Sequence, residues 1–118
     1  MADLTVNTFT GGVVTETLVA AAAGGDAIPA YTGKEIIVLR NAHATNSRTI
    51  TFDSVQACNY GSDHNLAVTI AGSATPVNRI VQLPTPVSRW KDANGKVAIT
   101  YSDSAADITI GVFKTPNN

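Results

Sequence analysis

From Gly61 to Phe113 the chain runs through short apolar/polar alternations, HNLAVTI, RIVQL, KVAITYS and ADITIGVF, separated by turn residues. A period of two marks strands with one buried face. Leu66, Val68 and Ile70 are expected to point inward, with Ala67 and Thr69 outward. Val97, Ile99 and Tyr101 repeat that spacing, as do Ile108, Ile110 and Val112. Within Asp92 to Gly95 an Asn-Gly pair supplies the residues that a tight turn with positive φ prefers.

The upstream half extends the same pattern. Glu35 to Arg40 (EIIVLR) is the most continuously apolar run and reads as a central strand. Arg48 to Asp53 follows a polar turn and places Ile50 and Phe52 inward. Leu4, Val6 and Thr8 alternate ahead of the Gly11-Gly12 break, and Val13 to Val19 is a further strand candidate with Thr15 and Thr17 on one face. Four alanines, Ala20 to Ala23, run into Gly24-Gly25 and are too few to nucleate a helix, so they read as a loop or single turn. Pro84 and Pro86 impose an extended crossing before Trp90. The expected architecture is all-β: an antiparallel β-sandwich or jelly-roll-like barrel of about eight or nine short strands. Residues 1–12 read as an N-terminal arm or edge strand and residues 13–118 as one sandwich domain.

Composition narrows the function. Charged residues are 14% of the 118, against about a quarter in ordinary soluble domains. That deficit hints at surface covered by partners, although a Thr- and Asn-rich monomer would look the same. The eight Lys and Arg are scattered, so there is no basic stripe for nucleic acid. The start, MADLTVNTF, does not read as a signal peptide, and no apolar run approaches bilayer length. The single cysteine, Cys58, excludes an intrachain disulfide. Synthesis in a cytosol is the expectation.

No residue set looks built for catalysis. Cys58, Asp63 and His64 share a polar loop, but a metal site needs three or four ligands and the only other histidine is His43. The plainer reading is a partly buried cysteine acting as a small hydrophobe and a turn histidine, His64, bonded to backbone. Asp53, Asp63, Asp92, Asp103 and Asp107 all fall in turns or at strand ends, where aspartate caps local amides. Neither Gly11-Gly12 nor Gly24-Gly25 matches a phosphate-binding loop. No cofactor and no metal are expected. Trp90, flanked by Arg89 and Lys91, is either an interface or sugar-stacking residue or the cover of one end of the core.

Three ordered motifs carry a resemblance. GDAIPAYTGKEIIVLRN (Gly25 to Asn41), DHNLAVTI (Asp63 to Ile70), and the series from Arg79-Ile80 through Pro84, Arg89-Trp90 and DANGKVAITYS (Asp92 to Ser102) resemble segments of the small head-decoration, or capsid cement, proteins of tailed phages. The likeness runs from about Val13 to Phe113, departing at Asn65, where an acid is expected, and in the short tail after Phe113. It implies a non-enzymatic jelly-roll sandwich, made in a bacterial cytoplasm, that trimerises on the outside of the virion head. Its partners would be the major capsid protein and itself, without direct contact to nucleic acid or membrane. Candidate interface residues are Leu4, Val6 and Phe9 of the arm, with Tyr31, Arg89 and Trp90. The arm, Met1 to Thr10, is expected to add a strand to a capsid edge. Two other readings remain: a carbohydrate-binding sandwich (a virion adhesin) using Trp90 and Tyr31, and a small tail or neck component.

Overall fold

A computed structural model describes residues 2–13, 18–55, 65–84, 86–102 and 105–114. Among the described residues ten strands form two sheets: β1 (Ala2–Asp3), β2 (Val6–Thr8), β3 (Val19–Ala20), β4 (Asp26–Ile28), β5 (Glu35–Asn41), β6 (Arg48–Phe52), β7 (Leu66–Ile70), β8 (Arg79–Val81), β9 (Val97–Tyr101) and β10 (Ile108–Lys114). One sheet runs β1-β4-β9-β6-β7 and the other β2-β10-β5-β8, with β3 also paired to β10. The molecule measures 42 × 39 × 21 Å, a slab whose thin axis matches two sheets packed about 10 Å apart.

The long strands follow their alternation. Ile50, Phe52, Val97, Ile99, Ile108, Ile110 and Val112 are buried between the sheets, joined by Ile37 and Leu39 of β5. Strand β5 lies inside its sheet between β10 and β8, as its apolar run predicts. Burying about ten such side chains, at roughly 2 kcal/mol each, is the main favourable term for this fold. All ladders among the long strands are antiparallel.

Two features differ from the sequence reading. The sheets are mixed, because β1 pairs parallel with β4 and β2 parallel with β10. Pairings of two or three residues carry no readable period, so propensity could not place them. Residues 2–8 therefore form edge strands of both sheets, the second of the two roles read from the sequence, and what they can offer a partner is their outer edge. The Asn-Gly turn also does not join neighbouring strands: β9 pairs with β4 and β6, and β8 lies in the other sheet. Its positive φ falls on Gly95 alone, at 77°, and Asn94 keeps an ordinary conformation. The Gly95 amide donates to the Asp92 carbonyl and the Asp92 amide to the Lys96 carbonyl, which makes a type I turn followed by a glycine bulge.

Loops are fixed by short polar contacts. Thr10 and Val13 exchange two backbone hydrogen bonds around Gly11-Gly12, and the alanine run closes as one turn through the Gly25 amide and the Ala22 carbonyl. Buried Asn41 donates from Nδ2 to the carbonyls of Asn46 and Ile70, and its Oδ1 accepts from the His43 amide. The loop after β7 then packs so closely that a Cβ at Gly72 would meet the backbone of Thr45 and Asn46. Among the described residues no helix is long and apolar enough to cross a membrane. Thr15, Thr17, Cys58, Asp63, His64 and Asp103 lie outside the described residues.

Candidate functional surfaces

The two aromatic candidates belong to the core. Trp90 is 1% exposed and Tyr31 2%. A 3-10 turn at Val87–Arg89 delivers the indole inward, where Nε1 donates to the Pro84 carbonyl at 2.7 Å. The proline crossing thus supplies the one acceptor a buried indole needs. The Arg89 guanidinium lies 5.1 Å from the Trp90 ring centroid, a cation–π contact across the ring. Arg89 is half-buried, and its carbonyl accepts from the Val55 amide and the Ser54 hydroxyl. Neither ring is free to stack on a sugar or anchor a partner, so Trp90 takes the second role read from the sequence and covers the core.

Tyr31 lies in the β4–β5 loop, its amide bonded to the Gly95 carbonyl. Burial, and then the negative charge of Glu35, push its phenol up to about 12. Glu35 has no exposed surface, because it shares the inward face of β5 with Ile37 and Leu39. Its carboxylate accepts from the Thr32 amide with both oxygens at 3.1 Å and from the Thr32 hydroxyl at 3.0 Å. Those bonds satisfy a charge that burial would otherwise penalise by several kcal/mol.

The other three candidates lie along the N-terminal segment. Leu4 is buried, with its amide bonded to the Ala27 carbonyl. Val6 is half-buried against the core, and Phe9 is half-buried with its amide on the Lys114 carbonyl. Leu4, Tyr31 and Trp90 therefore fall out of a direct interface, since their side chains are already spent inside the protomer. Val6, Phe9 and Arg89 keep partial exposure.

A cleft of about 430 Å³ opens at the sheet edge, lined by Leu4, Val19, Ile110 and Val112 with Asn7 and Asp26. Asp26 is its most buried polar wall. Oδ2 of Asp26 accepts from the Tyr101 hydroxyl at 2.6 Å and from the Ala22 amide at 3.0 Å. Burial, with the bond to Asp26 and its charge, drives the Tyr101 phenol far above its ordinary value. A phenol held so firmly protonated acts as a donor, and the pair ties β9 to the start of β4.

The remaining titratable residues serve turns. His43 Nδ1 accepts from the amides of Thr45 and Asn46. The amides of Lys96 and Asn94 hold the exposed Asp92 carboxyl below the usual carboxylate range. Arg48, nearly buried, pairs with Asp107 at 2.8 Å. Among the described residues no group of three or more His, Cys, Asp or Glu is placed to hold a metal.

What the described surface does present is two broad strand faces. Outward positions of the first sheet are Thr49, Thr51, Ala67, Thr69, Ala98 and Thr100, with Thr49 and Thr69 in hydrogen-bond contact at 3.0 Å across strands. Outward positions of the second are mostly apolar, with Ile36 and Val38 on β5, Phe113 on β10 and Ile80 on β8, while Arg40 and Thr109 are its polar members. Val38 and Phe113 are buried although they lie outside the main core cluster, while Ile80 is 73% exposed. No family model, curated protein or solved structure matches this chain.

Proposed function

We propose that this chain is a structural, non-enzymatic protein of a tailed-phage virion. In this reading it decorates and stabilises the outside of the head by binding the major capsid protein, as a homotrimer at three-fold or quasi-three-fold positions. It is made in the bacterial cytoplasm and resides on the virion surface. The ordered motifs of the sequence suggest the family, and one structural observation supports the role: most outward sheet positions carry Thr, Ala and aliphatic side chains, with Arg40 and Asp3 as charged exceptions. Solvated sheets are ordinarily polar and charged on their outer side. Small uncharged side chains on a flat sheet permit close apposition to another protein, and three weak contacts in one trimer add through effective concentration.

The carbohydrate-binding alternative depended on Tyr31 and Trp90 as platforms, and both rings are buried. Light scattering on the purified protein, followed by co-sedimentation with expanded, undecorated heads, tests the proposal. A trimer that saturates heads at a symmetric stoichiometry supports it. A monomer that stays in the supernatant removes it.

A further inference from the structure

Among the described residues strand β8 ends its sheet, paired to β5 on one side only. Ile80 at its centre is 73% exposed and Val77 just before it 65%. An unpaired edge with outward aliphatic residues is a template for another strand, which natural proteins normally cover or charge. Pro76 and Pro84 bracket the template, whose strand is Arg79–Val81, about 10 Å at roughly 3.3 Å per residue.

Among the described residues, the charged side chains on and beside β8 in its sheet are cations. Arg79 is exposed on β8 itself. Arg40, on the outward side of β5, is held towards β8 by a 2.9 Å bond from Nε to Asn78 Oδ1. Lys34 is exposed at the head of the same outward row. The outward positions of β5, β8 and β10 hold no carboxylate. An arriving strand therefore meets Ile80 with Arg40 on the outward face and the exposed Arg79 at the same edge on the other face.

From this we infer that the free edge of β8 is a docking site for an extended protein segment with an aliphatic middle and acidic flanks, bound by strand addition. Backbone hydrogen bonds provide the attachment, Ile80 and Val77 the apolar contact, and Arg79 with Arg40 the choice of an acidic partner. The inference is independent of the capsid reading, since it names a chemistry and not a protein.

The test uses the full chain and a synthetic peptide of alternating valine and threonine with two glutamates at each end, followed by fluorescence anisotropy. The controls are the same peptide with lysine ends, the acidic peptide with alternate amides N-methylated, phosphatidylserine vesicles and a single-stranded DNA oligonucleotide. Expected are binding of the acidic peptide that weakens with salt, loss on N-methylation, and a drop of about tenfold or more in Ile80→Asp and Arg79→Glu. Both substitutions are at exposed side chains, and far-ultraviolet circular dichroism verifies that the variants remain folded. Equal binding of acidic and lysine peptides, indifference to Ile80→Asp or to N-methylation, or retention of vesicles or DNA in preference to the peptide overturns the inference.

Discussion

Replacing Tyr101 by Phe removes one oxygen and tests how the buried Asp26 carboxylate is held. The Tyr101 hydroxyl reaches Asp26 Oδ2 at 2.6 Å, and Asp26 is only 2% exposed. A hydrogen bond to a charged group contributes about 1.5–3 kcal/mol, and here the acceptor stays behind with the Ala22 amide. The expected loss in Tyr101→Phe is thus about 2 kcal/mol at neutral pH, read as a fall in the urea midpoint at constant slope. An alkaline series makes the test sharper. The phenols of Tyr31 and Tyr101 are both raised above the ordinary value of 10.0 in the fold, Tyr31 to about 12 and Tyr101 further. Below pH 10 both folded and unfolded chains keep these protons, and the stabilisation is fully present. Above it the unfolded chain releases them first, so stability falls as pH rises, by about 1.4 kcal/mol per pH unit for each tyrosine. The two together give a slope near 2.7 kcal/mol per unit between pH 10 and 12, and Tyr101→Phe should roughly halve it. An unchanged alkaline slope, or a neutral-pH loss below about 0.5 kcal/mol, would refute the account of this pair.

Two glycines separate two causes of strain. Gly72→Ala drives a methyl into the backbone of Thr45 and Asn46, where no side chain can swing away, and should cost at least the ~1–3 kcal/mol of an overpacked site. Gly95→Ala meets nothing within 4 Å and carries only the φ of 77°, so thermal melting should show a smaller loss, about 1 kcal/mol. The reverse order of melting temperatures would contradict the loop geometry. Trp90→Ala should lower stability by about 3–5 kcal/mol in denaturant titration, in keeping with a buried ring; a loss under about 1 kcal/mol would place the indole at the surface.

The long strands were legible because each inward position repeats: Ile50 and Phe52, Val97 and Ile99, Ile108 to Val112 all lie where a period of two puts them. Strands β1 to β4 hold two or three residues each, and what places them is the neighbouring sheet, not their own pattern. Trp90 and Tyr31 were ambiguous for a related reason. A tryptophan after a proline crossing serves the core or a partner equally well, and the choice rests on whether a carbonyl, here that of Pro84, comes within reach of Nε1. Glu35 was the missed signal: it has the inward parity of Ile37 and Leu39, and Thr32 three residues earlier supplies the donors that make a buried carboxylate tolerable. The free edge of β8 could not be read either, since RIVQL looks the same at the middle or the margin of a sheet.

Strand β10 lies in the middle of its sheet, holding β5 on one side and β2 with β3 on the other. It is also the last of the described strands to leave the ribosome. Until Ile108–Lys114 emerges, β2, β3 and β5 have no partner in common, and their aliphatic backs stay open to water and to one another. Folding of that sheet therefore waits until β10 has been made, and its closure joins residues about a hundred positions apart, the slow class of contact. Loss of the final strand would leave several orphaned edges together, and a growing chain of this kind depends on fast completion or on a chaperone to stay out of aggregates.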